Sequence, residues 1–368
     1  MKKSLVTMFV LIFGLLFLGS SPAFAGDAGG IEALNKRIEA LEAKAEKSGG
    51  LDDLSENITF SGAIELDYSY TNPRDTTDVN SDSTSDLDIG TAQLGVEVNF
   101  HECVTGNFVL KGENLDTTDR VFWDEATITI QKEGFPLYFV GGKRGQPFGV
   151  FNSHLISDPI TKDYEIVETG ATLGFTPDFL GLDISATAYR GETIGVAKNQ
   201  SGGYTATDDV ESYIASISIA PVEGLTLSAY YNSEPGDGAR NKTAGGAIEY
   251  QIGMFTFDGE YIGALNKEKA NTGVEQKESA WFGAIACQVI DPLEIALRYE
   301  AYDDDISGDT DGTLEKRYSI GANYTLFEKD NFVTTVMVEY RGSHNEKPAG
   351  STDDDTVDEF FAKLAIEF

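Results

Sequence analysis

The sequence predicts an all-β fold, a transmembrane antiparallel β-barrel of about sixteen strands with a short N-terminal coiled-coil helix. From residue 57 onward, apolar and polar side chains alternate along segments of about 9–11 residues, the length with which a tilted strand crosses a bilayer. Short turns alternate with long acidic or glycine-rich connections between these segments. Because successive strand side chains point to opposite faces, each segment has an apolar face for lipid and a polar face for a lumen.

The even number of strands leaves both ends of the barrel on one side of the membrane, as a periplasmic N-terminal segment requires. The barrel is predicted to occupy residues 51–368. The sixteen predicted strands are 57–70, 90–100, 106–114, 122–131, 137–143, 167–176, 181–190, 211–220, 225–232, 243–252, 254–263, 279–289, 293–302, 315–325, 331–341 and 357–368.

Residues 1–25 have the pattern of a secretory signal peptide. Lys2 and Lys3 precede an apolar run, and a small-residue cleavage pattern ends at Ala25. The apolar run is shorter than the roughly 20 residues of a membrane-spanning helix. We therefore expect cleavage after Ala25 and, together with the barrel, a location in the outer membrane of a Gram-negative bacterium.

Residues 26–50 are predicted to form a short periplasmic helix that ends at a hinge, Gly49-Gly50. Apolar residues recur at alternating spacings of three and four, which is the pattern of a coiled-coil seam. The pattern lasts little more than two heptads, and isolated helices of this length are marginal in water. Two interpretations stay open: a coiled coil that helps three barrels associate, or a solvated helix leading into the barrel. The seam residues are Ile31, Leu34, Ile38, Leu41 and Ala45.

The longest predicted connection is the third outer loop, residues 144–166. Loops of this length usually have a function of their own. We expect this one to fold into the mouth of the barrel and to set what passes. The candidate constriction residues are Lys143, Arg144, Asn152, His154, Asp158 and Lys162.

The same stretch resembles a known family. The run Gly142-Lys143-Arg144, Pro147-Phe148-Gly149, Phe151, Ile156-Ser157-Asp158-Pro159 and Thr161 is similar to a motif of the LbtU-type siderophore porins. The order of leader, short heptad segment, barrel and terminal phenylalanine is similar too. The resemblance implies an outer-membrane porin for passive or gated, TonB-independent passage of small polar solutes, such as an iron–siderophore complex. The last strand alternates up to Phe368 and resembles the terminal strand of outer-membrane proteins, which implies that the barrel-assembly machinery recognises Phe368.

The face opposite the lipid carries mostly carboxylates. Rings of carboxylates favour cations in a narrow water-filled pore; the alternative is that these groups only hydrate the lumen and pair with basic neighbours. Lys143, Arg144 and Lys162 are expected to face this wall and to set a transverse field. The predicted pore-wall residues are Glu65, Asp67, Glu97, Lys111, Glu113, Asp258, Glu260, Arg298, Glu300, Arg317, Glu339 and Arg341.

Composition and motifs argue against several other functions. A net charge of −34 disfavours nucleic-acid binding. His154 with Ser153 and Asp158 is the only local candidate for a catalytic triad, and sequence proximity is poor support for one, so we expect no enzyme activity, cofactor or metal. Cys103 and Cys287 are predicted in distant parts of the wall, which disfavours a disulfide.

The expected partners are membrane lipid and lipopolysaccharide, a small polar solute or siderophore, and two further copies of the chain in a homotrimer. Two alternative functions stay open. One is a general, cation-preferring diffusion porin without a dedicated substrate, and the other is a structural or adhesion barrel that its own loop plugs.

Overall fold

The computed structural model describes residues 57–74, 82–113, 115, 120–191, 209–235, 240–268, 275–303, 314–329, 331–346 and 356–368. The predicted signal peptide and the predicted coiled-coil helix lie outside these residues, so both stay predictions. In the described part of the chain, no helix is long and apolar enough to cross a membrane.

The described residues form one closed antiparallel wall. Seventeen strands are present, of which the two-residue β12 pairs only with the end of β11, so sixteen make up the wall. The predicted sixteen strands are thereby confirmed. The strands are β1 Ile58–Arg74, β2 Thr84–His101, β3 Val104–Glu113, β4 Arg120–Gln131, β5 Leu137–Gly145, β6 Val167–Phe175, β7 Asp183–Tyr189, β8 Ser212–Val222, β9 Leu225–Glu234, β10 Asn241–Ile252, β11 Phe255–Glu268, β12 Glu275–Gln276, β13 Ser279–Ile290, β14 Leu293–Asp303, β15 Leu314–Lys329, β16 Phe332–Asn345 and β17 Thr356–Glu367.

The first and last strands close the wall. Leu66 in β1 lies opposite Leu364 in β17, in a ladder that continues to Arg74 and Thr356. In the described part of the chain, closure pairs the two edge strands of the wall with each other, which is what allows a sheet to stand in lipid, where backbone polar groups have no water to bind.

The two faces of the wall differ as the alternating pattern predicts. In β14, Ile295, Leu297 and Tyr299 are exposed on the outer face, whereas Ala296, Arg298 and Glu300, which alternate with them, are buried on the inner face. The buried charges therefore lie inside the barrel and need partners there.

A tight turn shows how local sequence sets the strand register. Glu223 and Gly224 join β8 to β9, and Gly224 has a φ of 77°. A Cβ atom at this position would lie 2.3 Å from the carbonyl oxygen of Gln251. Only glycine avoids both the strain of the left-handed backbone and this clash.

The cysteines occupy separate elements. Cys103 lies in the turn between β2 and β3, and Cys287 lies in β13. Both are free thiols.

The third outer loop begins two residues later than predicted. Arg144 and Gly145 continue the β5–β6 ladder opposite Glu168 and Val167, so the connection starts at Gln146. Arg144, which was predicted in the loop, is therefore a strand residue, which corrects the prediction. Lys143 lies in β5, as the predicted strand 137–143 has it, and is not a residue of the constriction loop. The connection, residues 146–166, contains a short 3-10 helix, Ile160–Tyr164. We call residues 146–166 the cross-loop.

Candidate functional site

The base of the cross-loop is held by an apolar cluster inside the barrel. Phe148, Ile160, Tyr164 and Ile166 of the loop are buried in it. Phe148 makes an edge-to-face contact with Tyr230, with ring centroids 5.1 Å apart. Burying a large apolar side chain contributes about 1.5–3 kcal/mol, so the cluster fixes the loop to the wall. The wall contributes Tyr189, Ile214, Tyr230, Ile262 and Ala280.

A sharp reversal follows Phe148. Gly149 has a φ of 94° and Phe151 a φ of 57°. A Cβ atom at Gly149 would lie 2.0 Å from the Phe151 ring, so the motif glycine is required here. The reversal aims two consecutive main-chain N–H groups, those of Val150 and Phe151, at the wall.

These two N–H groups bind a buried carboxylate. Val150 N donates to Glu260 Oε1 at 2.7 Å, and Phe151 N donates to Glu260 Oε2 at 3.2 Å. The hydroxyl of Thr161 donates to Oε2 at 2.6 Å, and the Tyr230 hydroxyl donates to Oε1. Four donors thus compensate a carboxylate that is 4% exposed, which removes most of the cost of burying its charge.

Two further buried carboxylates hold the middle of the cross-loop. Glu339 in β16 accepts the N–H and the hydroxyl of Ser157 at 2.7 and 2.6 Å. Glu300 in β14 accepts the N–H of Ile160 at 2.5 Å. Both side chains are at most 1% exposed.

Two arginines complete the same contact. Arg298 donates from Nη1 to the Ser157 carbonyl at 2.8 Å and from Nη2 to the Asp158 carbonyl at 3.1 Å, and its Nε lies 3.1 Å from Glu300 Oε2. Arg317 donates from Nε to Glu300 Oε2 at 2.5 Å and from Nη2 to the Asp158 carbonyl at 3.1 Å. The guanidinium groups therefore neutralise Glu300 and bind the loop backbone at once.

His154 and Asn152 bind a third group of acids. His154 Nε2 lies 2.8 Å from Asp258 Oδ2, and Nδ1 lies 3.2 Å from Glu294 Oε1. The hydrogen bond to Asp258, followed by that to Glu294, raises the pKa of His154 to about 10, so the imidazole is charged at neutral pH. Asn152 donates to Glu249 at 2.6 Å and to Asp258 at 3.3 Å.

The cross-loop spans the interior from one side of the barrel to the other. It leaves the wall at β5 and returns at β6, and its contacts reach β14 and β15. Around the wall, β14 is seven strands beyond β6 in one direction, and β15 is seven strands beyond β5 in the other. Asn323 in β15 donates to the His154 carbonyl at 2.8 Å. Leu155 packs with Ala286 and Ala296 of the far wall.

The six predicted constriction residues divide into two sets of three, of which only one binds inward side chains on other strands of the wall. Asn152, His154 and the Asp158 carbonyl bind wall side chains, as described above. Lys162 pairs with Glu165 of its own turn at 2.7 Å.

The two strand cations lie apart from this group. Lys143 donates to the main-chain carbonyl of Trp123 at 2.6 Å, and Arg144 donates to the Thr172 hydroxyl at 3.2 Å. The expectation that Lys143, Arg144 and Lys162 face the acidic wall is corrected accordingly, because each has a different local partner.

The predicted pore-wall residues divide into two groups. Asp258, Glu260, Arg298, Glu300 and Glu339 are all buried against the cross-loop, with Arg317 beside them. They hold the loop and do not line an open aqueous surface, which corrects their predicted placement.

The other group lies on the remaining wall, from β16 through β17 and β1 to β3. Several of its charges are paired: Lys363 Nζ lies 2.8 Å from Glu65 and 3.8 Å from Asp67, and Arg341 Nε lies 2.7 Å from Glu359. We call this surface the open wall. It also carries Glu97, Lys111 and Glu113, of which Lys111 and Glu113 are 2.6 Å apart.

Several residues that anchor the cross-loop were not predicted from the sequence. Thr161 and Ser157 were recognised only as motif residues, although their hydroxyls bind Glu260 and Glu339. For Asn323, the sequence shows only that the side chain points inward from β15, and nothing in it indicates the bond to the cross-loop. The candidate triad is not assembled, because the Ser153 hydroxyl donates to main-chain carbonyls and both His154 nitrogens lie against acids.

Comparison with known proteins gives the same architecture. The outer membrane channel DcaP of Acinetobacter baumannii is 14% identical, with a TM-score of 0.61 over 84% of this chain and 96% of that chain. OmpF of Salmonella typhi, in complex with daunomycin, is 14% identical, with a TM-score of 0.60 over 85% and 98%. An anion-selective porin from Comamonas acidovorans is 13% identical, with a TM-score of 0.55 over 84% and 99%. Identities this low establish the fold alone.

No curated protein sequence matches the chain. The Gram-negative porin family matches it over residues 15–348, which is most of its 368 residues. With the closed sixteen-strand barrel, this match is decisive: the chain belongs to the Gram-negative porin family.

Proposed function

We propose that this porin is a constricted diffusion channel for small polar solutes and that the cross-loop is its fixed narrow point. One observation carries the proposal, namely the binding of the cross-loop to buried wall carboxylates on the side of the barrel opposite its own strands. A loop held at both its base and its far edge divides the lumen and leaves the passage beside it.

The attachment favours a rigid constriction over a mobile lid. Glu260, Glu300 and Glu339 each accept main-chain N–H groups of the loop, and Arg298 binds loop carbonyls. Moving the loop away would break these hydrogen bonds together and expose the loop side chains of the apolar cluster, whose burial contributes about 1.5–3 kcal/mol for each large side chain. Thermal motion alone therefore opens the loop rarely.

The passage runs between the cross-loop and the open wall. On the loop, Ser153 and Asp158 are exposed, and the open wall carries the ion pairs described above. Such a polar surface supports hydrated solutes. Net selectivity for cations is expected to be weak, because Lys363, Lys111 and Arg341 neutralise part of the open wall and the acids bound to the loop are removed from it.

A siderophore is the second candidate solute, and the motif around the cross-loop favours it. In this chain, however, the motif residues have structural roles: Phe148 is in the apolar cluster, Gly149 allows the reversal, and Ser157 and Thr161 bind Glu339 and Glu260. The resemblance therefore supports a shared loop conformation more strongly than a shared solute.

Assembly is part of the proposal. We expect cleavage after Ala25, a homotrimer in which residues 26–50 assist association, and recognition of Phe368 by the barrel-assembly machinery. Phe368 is well placed for a role in the final closure, because it exchanges two main-chain hydrogen bonds of 3.0 Å with Gly62 and stacks on Phe332. Deleting residues 26–50 is expected to weaken the trimer and to leave conductance intact.

Planar-bilayer recording of the refolded protein tests the function. Stepwise conductance with weak cation preference, unaffected by a ferric siderophore, is the expected result for a general constricted channel. Block by the siderophore and not by sugars of similar size would select the dedicated channel. Absence of conductance steps would reject both and support a barrel plugged by its own loop.

A further inference from the structure

A histidine, a carboxylate and a thiol converge in the turn between β2 and β3, away from the cross-loop. The residues are His101, Glu102 and Cys103, and their potential ligand atoms all lie within 4.8 Å of one another. Nothing in the channel mechanism uses this group.

The turn is held in shape by its neighbours. The β2–β3 register shifts between Asn99 and His101. His101 lies opposite Val104, and residues 102 and 103 form the turn between them. The Cys103 carbonyl accepts the N–H of Gln131 in β4 at 3.0 Å. The Cys103 N–H lies 3.4 Å from His101 Nδ1 and faces it as a weak donor. The backbone is therefore anchored to a third strand, and the three side chains emerge from a fixed base.

We propose that this turn binds a divalent cation of borderline softness, such as Zn²⁺. Thiolate sulfur, imidazole nitrogen and carboxylate oxygen are the ligands that Zn²⁺ takes, at about 2.3, 2.0–2.1 and 2.0–2.2 Å. Three such ligands at these distances lie about 3.5 Å from one another in a tetrahedron, so small side-chain rotations bring the three groups together. A water molecule completes the tetrahedron.

A neighbouring cavity provides access to the site. A pocket of about 690 Å³ opens beside the turn, and Glu102 and Cys103 are among its lining residues. Two further acids, Glu133 and Asp178, line the same pocket from the adjacent turns. They lower the local potential and favour the approach of a cation.

The donor set separates this site from the acidic loops of the chain. Exposed carboxylates alone select hard cations such as Ca²⁺ and Mg²⁺, whereas a thiolate with an imidazole selects Zn²⁺ and its analogues. The proposal is independent of the channel function and of the state of the cross-loop.

Titration of the refolded full-length protein with Co²⁺ tests the site, because Co²⁺ bound to thiolate shows a charge-transfer absorption that oxygen ligands do not give. We expect one such band, displaced by Zn²⁺ and unaffected by a large excess of Mg²⁺. Cys103→Ser is expected to abolish the band, and Cys287→Ser is the matched control that retains it. His101→Gln and Glu102→Gln keep the thiol and are expected to weaken binding by about tenfold or more each.

Either of two results would overturn the proposal. One is the absence of a thiolate band in the wild-type protein. The other is a band that persists in Cys103→Ser or stays unchanged in both His101→Gln and Glu102→Gln. Because the last two variants leave the thiol and the fold of the strands untouched, a folding failure of Cys103→Ser does not decide the outcome.

Discussion

The carboxylate of Glu260 in β11 accepts the main-chain N–H of Phe151, a residue of the cross-loop with a φ of 57°. A non-glycine residue in this left-handed conformation costs on the order of 1–3 kcal/mol. A hydrogen bond to a charged acceptor contributes about 1.5–3 kcal/mol and offsets that strain. The wall carboxylate thus stabilises the loop conformation that brings the chain across the lumen.

Replacing the carboxylate of Glu260 by an amide is expected to loosen the cross-loop. In Glu260→Gln, the amide nitrogen faces donors that previously met an acceptor, which leaves buried polar groups unpaired at about 1–3 kcal/mol. Single-channel recordings are expected to show more frequent conductance fluctuations and the thermal midpoint is expected to fall. Glu97→Gln on the exposed open wall is the control, and equal effects of the two variants would contradict the assignment.

Removing the Arg298 guanidinium is expected to lower the free energy of unfolding more than removing a charged group of the open wall does. Arg298→Met leaves Glu300 with one fewer cation and removes one donor from each of two loop carbonyls, and loss of one partner of a buried pair costs about 3–5 kcal/mol. Denaturant unfolding in detergent measures this free energy. Arg341→Met serves as the comparison, since its partner Glu359 remains partly solvated. A smaller loss for Arg298→Met than for Arg341→Met would show that the loop contact is unimportant.

The His154 contact makes a definite prediction about pH. Its folded-state pKa of about 10 lies above the usual value of 6.5, so its stabilising contribution is fully present below pH 6.5 and is lost as the pH rises through about 10. We expect the stability difference between wild type and His154→Gln to shrink over this window. The acids that face His154 are Asp258 and Glu294. A difference that is constant from pH 6 to pH 10.5 would contradict the charged contact.

Ion selectivity is expected to depend on the open wall and not on the acids beneath the cross-loop. Glu97→Gln removes an exposed charge of the open wall, so reversal potentials in a salt gradient are expected to shift toward anions. Asp258→Asn removes a charge that His154 already neutralises and is expected to shift them less. A larger shift of the reversal potential for Asp258→Asn than for the open-wall variant would mean that ions pass on the other side of the loop.

The strands were predictable from the sequence, whereas the division of the lumen was not. A period of two assigns each residue to a face, and in β14 the outward Leu297 and the inward Arg298 follow it. It gives no information about which inward acids another segment covers, so Glu260 and Glu97 carried the same prediction although one is buried and the other exposed.

Two errors near the cross-loop have local causes. Arg144 was placed in the loop because the predicted strand ended at Lys143, but its backbone continues the β5–β6 ladder opposite Glu168. Lys162 was expected to face the acidic wall because its charge is opposite to that of the wall. In the structure its ammonium group instead lies 2.7 Å from the carboxylate of Glu165, three residues later in the same turn.

The central claim is that the cross-loop stays fixed to the far wall while the channel conducts. Leu155 packs against Ala296 in β14, so Leu155→Cys with Ala296→Cys, in a background with Ser at both native cysteine positions, allows the contact to be locked by oxidation. Single-channel conductance before and after oxidation is the direct measurement. We expect the same single-channel conductance before oxidation, after oxidation and after subsequent reduction. A marked fall in conductance on oxidation would show that the loop must leave the wall for solutes to pass, and would contradict the claim.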